Sequence, residues 1–577
     1  MTPRVSSSRI RMALVVTALL LALLVLVIQL VRWQILEHSK TAQGSVAEAS
    51  SAVRGPNRGT ITDIRGVPLA LDTYRWEIWI EPNLVKKGTE TELTNQLAQQ
   101  LGSSLLVAPE SLLAALNEHK KGVITLARQA PAAAGEAIKS WQLAAIGTKS
   151  TPLRVYPQGS LASHLLGFVN SEPQAYYGVE EKYDNYLRSL SDSFFASDPQ
   201  HQAFYTSLPA AWQQTMPSNV AQDLVLTIDR RIQVITEQVL LGAIVTYQAK
   251  GGTIIVMNPY TGAIMAMASY PNYDPNRFGK ADIETLADPA ISKQYEPGSV
   301  FKIVTMAAGI DAGLITPEST LNDSPSIEVG DRTIYNSEQR TYGLVTARQA
   351  LILSLNIPTA EVALQLTESR FYQYVQRFGF GQLTEVDLAN EGPGSVKTPG
   401  DAIWSRSDLA TNAFGQGIAV TPLQMATATC VIANGGVLIK PHIVDSMVFR
   451  GRLIHPDTEP VRRVIKTSTA KAVTDMMTSV VADDMGTPAA QVPGYTVAGK
   501  TGTAQIATEY GYHPTDTIHS FVGFVPAEKP AFVALIKLDV PRAYAWADGT
   551  AAPTFAQLAK QILPLIGVPP QETASLP

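Results

Sequence analysis

Twenty residues in a row without a charge, Met12 to Val31 (MALVVTALLLALLVLVIQLV), limit what this chain can become. A helix of ~20 apolar residues is what a bilayer core requires, so one transmembrane anchor is expected over 12–32. Arg4, Arg9 and Arg11 precede it with no acidic residue. The positive-inside rule then puts the 1–11 tip in the cytoplasm and everything beyond Arg32 outside the cell membrane. A cleaved signal peptide would carry an apolar region of ~7 to 15 residues with a small-residue cleavage site directly behind it. Here RWQILEHSK follows instead, so the anchor is expected to stay. No second run of this kind occurs. The remaining chain must therefore bury its own apolar residues, and with 577 residues, 45% hydrophobic and 16% charged, it has material for several domains.

Composition also removes function classes. A net charge of -5 gives no basic footprint for nucleic acid. Cys430 stands alone, so there is no disulfide framework, and its helix-like surroundings suit a buried small hydrophobe. The eight histidines never fall at i, i+4 on one face, which leaves a zinc site without support. No metal or organic cofactor is expected.

Residues 33–53 have the small, polar texture of a linker. In RGPNRGTITDIRGVPLALD, Arg54 to Asp72, apolar and polar residues alternate between Gly and Pro, as in short strands and turns. From Thr89 to Ala145 the text turns helical and alanine-rich. Ser189 to Asn219 has no clear period, and a boundary is placed near Ala221, giving an N-terminal domain over 54–220 and a second over 221–566 with a tail at 567–577. The second opens with a strand and a long amphipathic helix in DLVLTIDRRIQVITEQVLLGAIVTY. KGGTIIVMNPYTGAIMAMAS reads as a hairpin. GYTVAGKTGTAQIA, SFVGFVPA and PAFVALIKLDV read as strands at the far end, and APTFAQLAKQILPLIGV as a closing helix. Strands from both ends enclosing helical segments predict an α/β layered sheet with an inserted helical subdomain.

Three short stretches carry chemistry. In YEPGSVFKIVTMAAGID, Tyr295 to Asp311, a Pro-Gly turn opens an apolar helix with Ser299 and Lys302 almost one turn apart, on one face. A serine hydroxyl needs a base to become a nucleophile. A lysine can serve only when neutral, which asks its pKa to fall by roughly three units, at a cost of ~4 kcal/mol. Burial beside Phe301 pushes that way. The bland alternative is an N-cap serine and a solvated lysine. In ALILSLNIPTAEVALQL, Ser354 and Asn356 offer a hydroxyl and an amide at i, i+2 that could meet at one point, or simply start a helix before Pro358. In VAGKTGTAQ, the run Gly494 to Thr501 satisfies the phosphate-loop pattern. That motif needs a helix behind it, whereas TGTAQIA continues as a strand, so nucleotide binding is rejected. The other reading puts Lys500, Thr501 and Gly502 on a strand edge: Lys500 supplies positive charge, Gly502 permits close backbone approach, and the Thr503 N–H points at an oxyanion.

Taken together and in this order, S-x-x-K, S-x-N and K-T-G resemble the penicilloyl serine transferases. FGQGIAVTPLQMATA, AAPTFAQLAKQILPLIGV, RGTITDIRG and RVYPQGSLASHLLG extend the resemblance to class B penicillin-binding proteins, monofunctional peptidoglycan DD-transpeptidases. EPGSVFKIVTMAAGID and KTGTAQ lean to the division and sporulation branch (FtsI/SpoVD-like). Coverage runs from about Arg54 to Pro570.

The resemblance implies a penicillin-binding/serine β-lactamase-like transpeptidase domain, an antiparallel sheet with helices and a helical subdomain, behind an α+β pedestal domain and one transmembrane helix. It implies Ser299 as nucleophile and Lys302 as its base, with Ser354 and Asn356 relaying protons and holding Lys302 and the substrate amide. Lys500, Thr501, Gly502 and Thr503 would form the subsite for the terminal carboxylate. Expected partners are peptidoglycan stem peptides, β-lactams, division proteins and a SEDS-family (FtsW/RodA-type) glycosyltransferase, with the membrane reached through the N-terminal helix. Alternatives sharing the triplets are a membrane-anchored β-lactamase or β-lactam sensor and a DD-carboxypeptidase; the different-class alternative is a non-enzymatic division scaffold. Two departures from the family pattern stand out: Asp63-Ile64-Arg65-Gly66 moves an arginine by one place, and Ile357-Pro358 follows the S-x-N triplet where a glycine is usual.

Overall fold

The computed structural model describes residues 58–170, 172, 174–188, 222–449, 452–456, 460–508 and 511–570. The expected anchor, the linker and most of the stretch around the expected boundary at Ala221 lie outside them. Among the described residues no helix is long and apolar enough to cross a membrane.

The N-terminal half is built on β1 (Ile61–Thr62), β2 (Pro68–Ile80), α1 (Glu90–Leu101), α2 (Pro109–Asn117), β3 (Ile124–Ala130), α3 (Ala132–Ser140) and β4 (Ile146–Val155). β2 pairs antiparallel with β1, β3 and β4. Trp76, Ile78 and Ile80 alternate into a core closed by Leu93, Leu97, Leu112 and Leu116 of the two helices. The turn that carries the displaced arginine is held by Asp63, whose buried carboxylate accepts from the N–H groups of Arg65 (2.9 Å), Val67 (2.7 Å) and Arg230 (3.1 Å). Arg65 itself is exposed, so the turn does not depend on its side chain.

The two halves share a sheet. β5 (Asp223–Leu226), the strand expected to open the second domain, pairs parallel with β1, Ile61 opposite Leu224. On its other side it takes β8 (Val444–Phe449), itself paired with β9 (Arg452–Ile454). Hydropathy along one segment does not reveal such a partner, because parallel pairing joins distant parts of the chain.

The second half carries α4 (Arg230–Tyr247), β6 (Gly251–Met257), β7 (Ile264–Tyr270), α5 (Lys302–Asp311), α6 (Asn356–Arg377), α7 (Pro422–Ala433), α8 (Thr467–Ala482), β10 (Ala498–Thr508), β11 (Gly511–Val525), β12 (Phe532–Asp539) and α9 (Ala551–Leu565). Its antiparallel sheet runs β10-β11-β12-β6-β7. Ile254, Val256, Ala534 and Ile536 face α4 and α9, while Ile255, Met257, Val533 and Leu535 face the helices of the other layer. Both faces are covered, which is why these strands read as unbroken Val/Ile/Leu runs. α7 is buried on all sides, as its apolar sequence requires. β10 is an edge strand, with one row of backbone groups free of sheet partners.

A buried ion cluster ties the N-terminal half together. Glu180 accepts from Arg58 Nε and from Arg154 Nε (2.7 Å), and Arg154 reaches Asp72 at 3.0 Å and the Gly59 carbonyl at 2.8 Å. Burial alone would raise the Glu180 pKa, but Arg154 and Arg58 outweigh it and hold the carboxyl below its ordinary range. Removing one member strands buried charge, so Arg154→Met should destabilise this half by about 3–5 kcal/mol. Because the Glu180 pKa is depressed, its contribution is full above the unfolded value of ~4.3 and fades as pH falls through the folded one. Urea unfolding of the wild type and the variant at pH 7 checks this; a loss under about 1 kcal/mol would mean that the cluster does not hold the half together.

Candidate active site

The Pro-Gly turn does not lead straight into an α-helix. Gly298–Phe301 form a 3-10 turn and α5 starts at Lys302. In a 3-10 turn side chains at i and i+3 eclipse, so Ser299 and Lys302 share a face more closely than in an α-helix. Gly298 has φ +59°, and a Cβ there would meet Ala504 Cβ at 3.2 Å. Its N–H donates to the Gly415 carbonyl at 3.0 Å, which brings FGQG behind the turn. On the facing strand a Cβ at Gly502 would lie 2.8 Å from the Pro297 carbonyl oxygen. Gly502 thus permits a close backbone approach between β10 and the turn that carries Ser299. Beside the turn, Glu296 accepts from the Gly417 N–H (3.0 Å) and from the Tyr512 hydroxyl (3.0 Å).

Lys302 is fully buried. Its Nζ donates to the Ser354 carbonyl and lies 3.3 Å from Ser354 Oγ. Burial, and then the nearby charge of Lys500, push its pKa well below the free-lysine value, with Asp323 opposing them. Ser354 has φ +56°, a left-handed conformation that a serine adopts at some cost. That strained backbone turns its carbonyl and its hydroxyl onto one amine, as a two-point cradle for Lys302.

Asn356 differs from expectation. Its Nδ2 donates to the Tyr335 carbonyl (3.0 Å), and the structure does not bring it to Lys302. Asn356 is instead the first residue of α6. The open N-terminus of that helix is capped by Asn336, whose Oδ1 accepts from the N–H groups of Asn356 (2.8 Å) and Ile357 (3.3 Å). Pro358 then sits in the first turn, where its missing N–H is no loss. This cap accounts for Ile357-Pro358 without a glycine.

Lys500 is 1% exposed, and its Nζ donates to the Thr501 carbonyl at 3.1 Å. Burial pushes its pKa down to about 8, against Asp548. Thr503 Oγ1 accepts from the Ala547 N–H (3.1 Å) and keeps its own proton to donate. Ser299, Ser354, Lys500, Thr501 and Thr503 line one cleft, joined by Thr487, Trp546 and Asp548. Lys302 sits behind it, and Gly502 serves the packing. Thr487, Asp548 and Asn336 are site residues that sequence reasoning missed. Each is a single residue in a turn or loop with no periodic or motif signal of its own. Among the described residues no group of His, Cys, Asp or Glu could hold a metal ion.

Residues 252–560 match the penicillin-binding protein transpeptidase domain, and residues 53–191 the penicillin-binding protein dimerisation domain. Stage V sporulation protein D of Bacillus subtilis is 30% identical over 90% of this chain and 79% of that protein. The peptidoglycan D,D-transpeptidase FtsI of Escherichia coli is 28% identical over 89% of this chain and 84% of its own. Among solved structures, penicillin-binding protein 3 of Mycobacterium tuberculosis in complex with aztreonam superposes with a TM-score of 0.68 at 27% identity, covering 90% of this chain and 98% of that one. With the cleft framed by the three triplets and both halves matched by their domain families, the chain belongs to the class B penicillin-binding proteins.

Proposed function

We propose that the protein is a peptidoglycan DD-transpeptidase of cell-wall synthesis that works through a serine acyl-enzyme. One observation carries this: Ser299, Ser354 and Lys500, from three separate segments, line one cleft with the neutral-leaning Lys302 amine buried behind them. Lys302 takes the Ser299 proton as Oγ attacks the penultimate D-Ala carbonyl of a stem peptide. The N–H groups of Ser299 and Thr503 receive the oxyanion. The C–N bond then breaks, the proton passes by way of Lys302 and Ser354 to the leaving amine, and D-Ala departs. The amine of a second stem peptide attacks the ester, gives up a proton, and frees Ser299 as the cross-link forms. Lys500, Thr501 and Thr503 bind the terminal carboxylate of the donor. Asn356 can hold the substrate amide only by giving up its bond to Tyr335.

A β-lactam presents an acyl group to the same serine and stays attached. The resemblance to a division and a sporulation protein supports a septal role. The uncharged run at 12–31 supports anchorage in the cell membrane with the catalytic domain outside, beside division proteins and a SEDS-family glycosyltransferase whose strands it cross-links.

The test uses the full-length chain in detergent. Fluorescent penicillin followed by peptide mapping should label the peptide containing Ser299, and a stem-peptide donor should release D-Ala in step with cross-linking to an added amine. D-Ala release that never yields a cross-link would mark a carboxypeptidase. Absence of both labelling and release would leave the scaffold reading.

A further inference from the structure

Ser354 holds a left-handed backbone, φ +56°, between two helices. A serine keeps such a conformation only where its surroundings over-determine it. Ahead of it, the short helix Ala347–Ile352 is closed by a capping box of Thr346 and Gln349, and the Leu355 N–H returns to the Ala350 carbonyl at 2.9 Å. Behind it, α6 begins with Leu355 at the cap position, whose side chain makes no cap bond. The missing acceptor comes from 20 residues back, as Asn336 Oδ1.

Asn336 is itself held by a buried carboxylate. Its Nδ2 donates to Asp323 Oδ1 at 2.7 Å and to the Arg340 carbonyl at 3.0 Å. Both partners only accept, so the amide stands in one orientation, with Oδ1 turned to the Asn356 and Ile357 N–H groups. Asp323 Oδ2 accepts from the Tyr342 N–H at 2.8 Å, at the end of the strand pair Thr320–Asp323 and Gly343–Thr346. Asp323 is fully buried and Asn336 nearly so. A helix start needs no more than a local Ser or Asp at its cap. A carboxylate buried to orient a distant amide is a costlier device, and what it adds is a fixed place for that helix start against the strand pair.

We infer that Asp323 and Asn336 are positioning residues for acylation: the carboxylate fixes the amide, the amide fixes the start of α6, and the Ser354 carbonyl and hydroxyl are thereby kept on the Lys302 amine. The inference rests on the acyl-enzyme reading above. Both residues act through Ser354, two positions before the N–H that Asn336 holds, and its Oγ lies 3.3 Å from Lys302 Nζ.

The experiment measures the rate of Ser299 acylation by fluorescent penicillin up to saturation, on the full-length chain in detergent, for the wild type, Asp323→Asn, Asn336→Asp and the double swap. Each single change breaks the pair without changing volume. Asn336→Asp sets two carboxylates against each other, and Asp323→Asn turns an amide N–H toward one of two donors. In the double variant the introduced amide donates to the introduced carboxylate, which takes both helix N–H groups, and the Tyr342 N–H keeps an acceptor. Each single variant should lower the saturating rate constant by up to ~10²-fold, the cost of a displacement of about 1 Å at the reacting groups. The double variant should recover most of it. Hydrogen exchange should show the Asn356 and Ile357 amides losing protection in the single variants and regaining it in the double. A merely structural role would lower the melting temperature and the fraction of protein that labels, but leave the rate constant of the labelled fraction at the wild-type value, and that result overturns the inference. It is also overturned by a double variant whose amides are protected again while it labels as slowly as the single ones. If Asn336→Asp does not fold, the rate constant of the isosteric Asp323→Asn decides. A wild type that takes no label brings down the acyl-enzyme reading itself, whereas single variants that label as fast as a labelling wild type remove this inference alone.

Discussion

Ser299→Ala should abolish covalent penicillin labelling and stem-peptide cross-linking, and leave the melting temperature within a degree or two. Deleting the nucleophile of a serine hydrolase lowers turnover by roughly 10⁶-fold, which puts the residual rate below detection here. The fold should not notice. Among the described residues the Ser299 hydroxyl has no hydrogen-bond partner, so its removal strands no buried group, and a change of this kind stays within about 0.5 kcal/mol. The turn is set instead by Gly298, by the Gly415 contact and by the approach of Gly502 to Pro297. Thermal unfolding and gel fluorescence on the same samples check both halves of the statement. Label retained by the variant would show that the nucleophile lies elsewhere. Label mapped to Ser354 would reverse the assignment, and because that hydroxyl lies 3.3 Å from Lys302 Nζ the peptide mapping is the decisive half of the test.

How much of this was legible in the sequence follows from what holds each part. The central sheet was readable because covering both faces demands long Val/Ile/Leu runs, and β6, β7, β10, β11 and β12 show them or follow a motif. β3 was not. ITLARQA, Ile124–Ala130, carries Arg128 and Gln129 on exposed positions and sits in an alanine-rich stretch, so local propensity argued for helix while pairing with β2 decided for strand. The sheet shared by β1 and β5 was out of reach for a different reason. It joins residues over 160 positions apart, and nothing in either short strand names its partner.

The candidate site divides in the same way. Ser299, Lys302, Ser354 and Lys500 are carried by spaced triplets, and the structure brings all four together. Asn356 belongs to a triplet too, yet its side chain bonds Tyr335, because the neighbouring Asn336 has taken the helix cap and holds that loop close. Thr487 reaches β10 from the connection that precedes it, 14 residues before Thr501, and Asp548 from the turn ahead of α9. The packing of α8 and of the Ala547–Gly549 turn against the strand makes them part of the cleft.

Lys302→Met should slow acylation by at least ~10²- to 10⁴-fold, the usual worth of general-base help, and should at the same time make the protein more stable. The two effects share one cause. Burial and the charge of Lys500 depress the Lys302 pKa, so the folded chain must discard a proton that the unfolded chain keeps. With the folded value below the unfolded ~10.4, each pH unit between them lowers stability by about 1.4 kcal/mol as pH falls. Against this, methionine strands the Ser354 carbonyl, a loss of about 1–3 kcal/mol that does not vary with pH. The melting-temperature advantage of Lys302→Met over the wild type should therefore grow as pH drops from 10 toward 7, a slope that a packing effect would not produce. Lys302→Arg separates charge from catalysis. A guanidinium cannot give up its proton, so this variant should acylate about as poorly as Met and should lack its stability gain. Near wild-type acylation by the Arg variant would sink the neutral-lysine mechanism. A Met variant with no pH-dependent advantage would show that Lys302 stays charged in the folded protein.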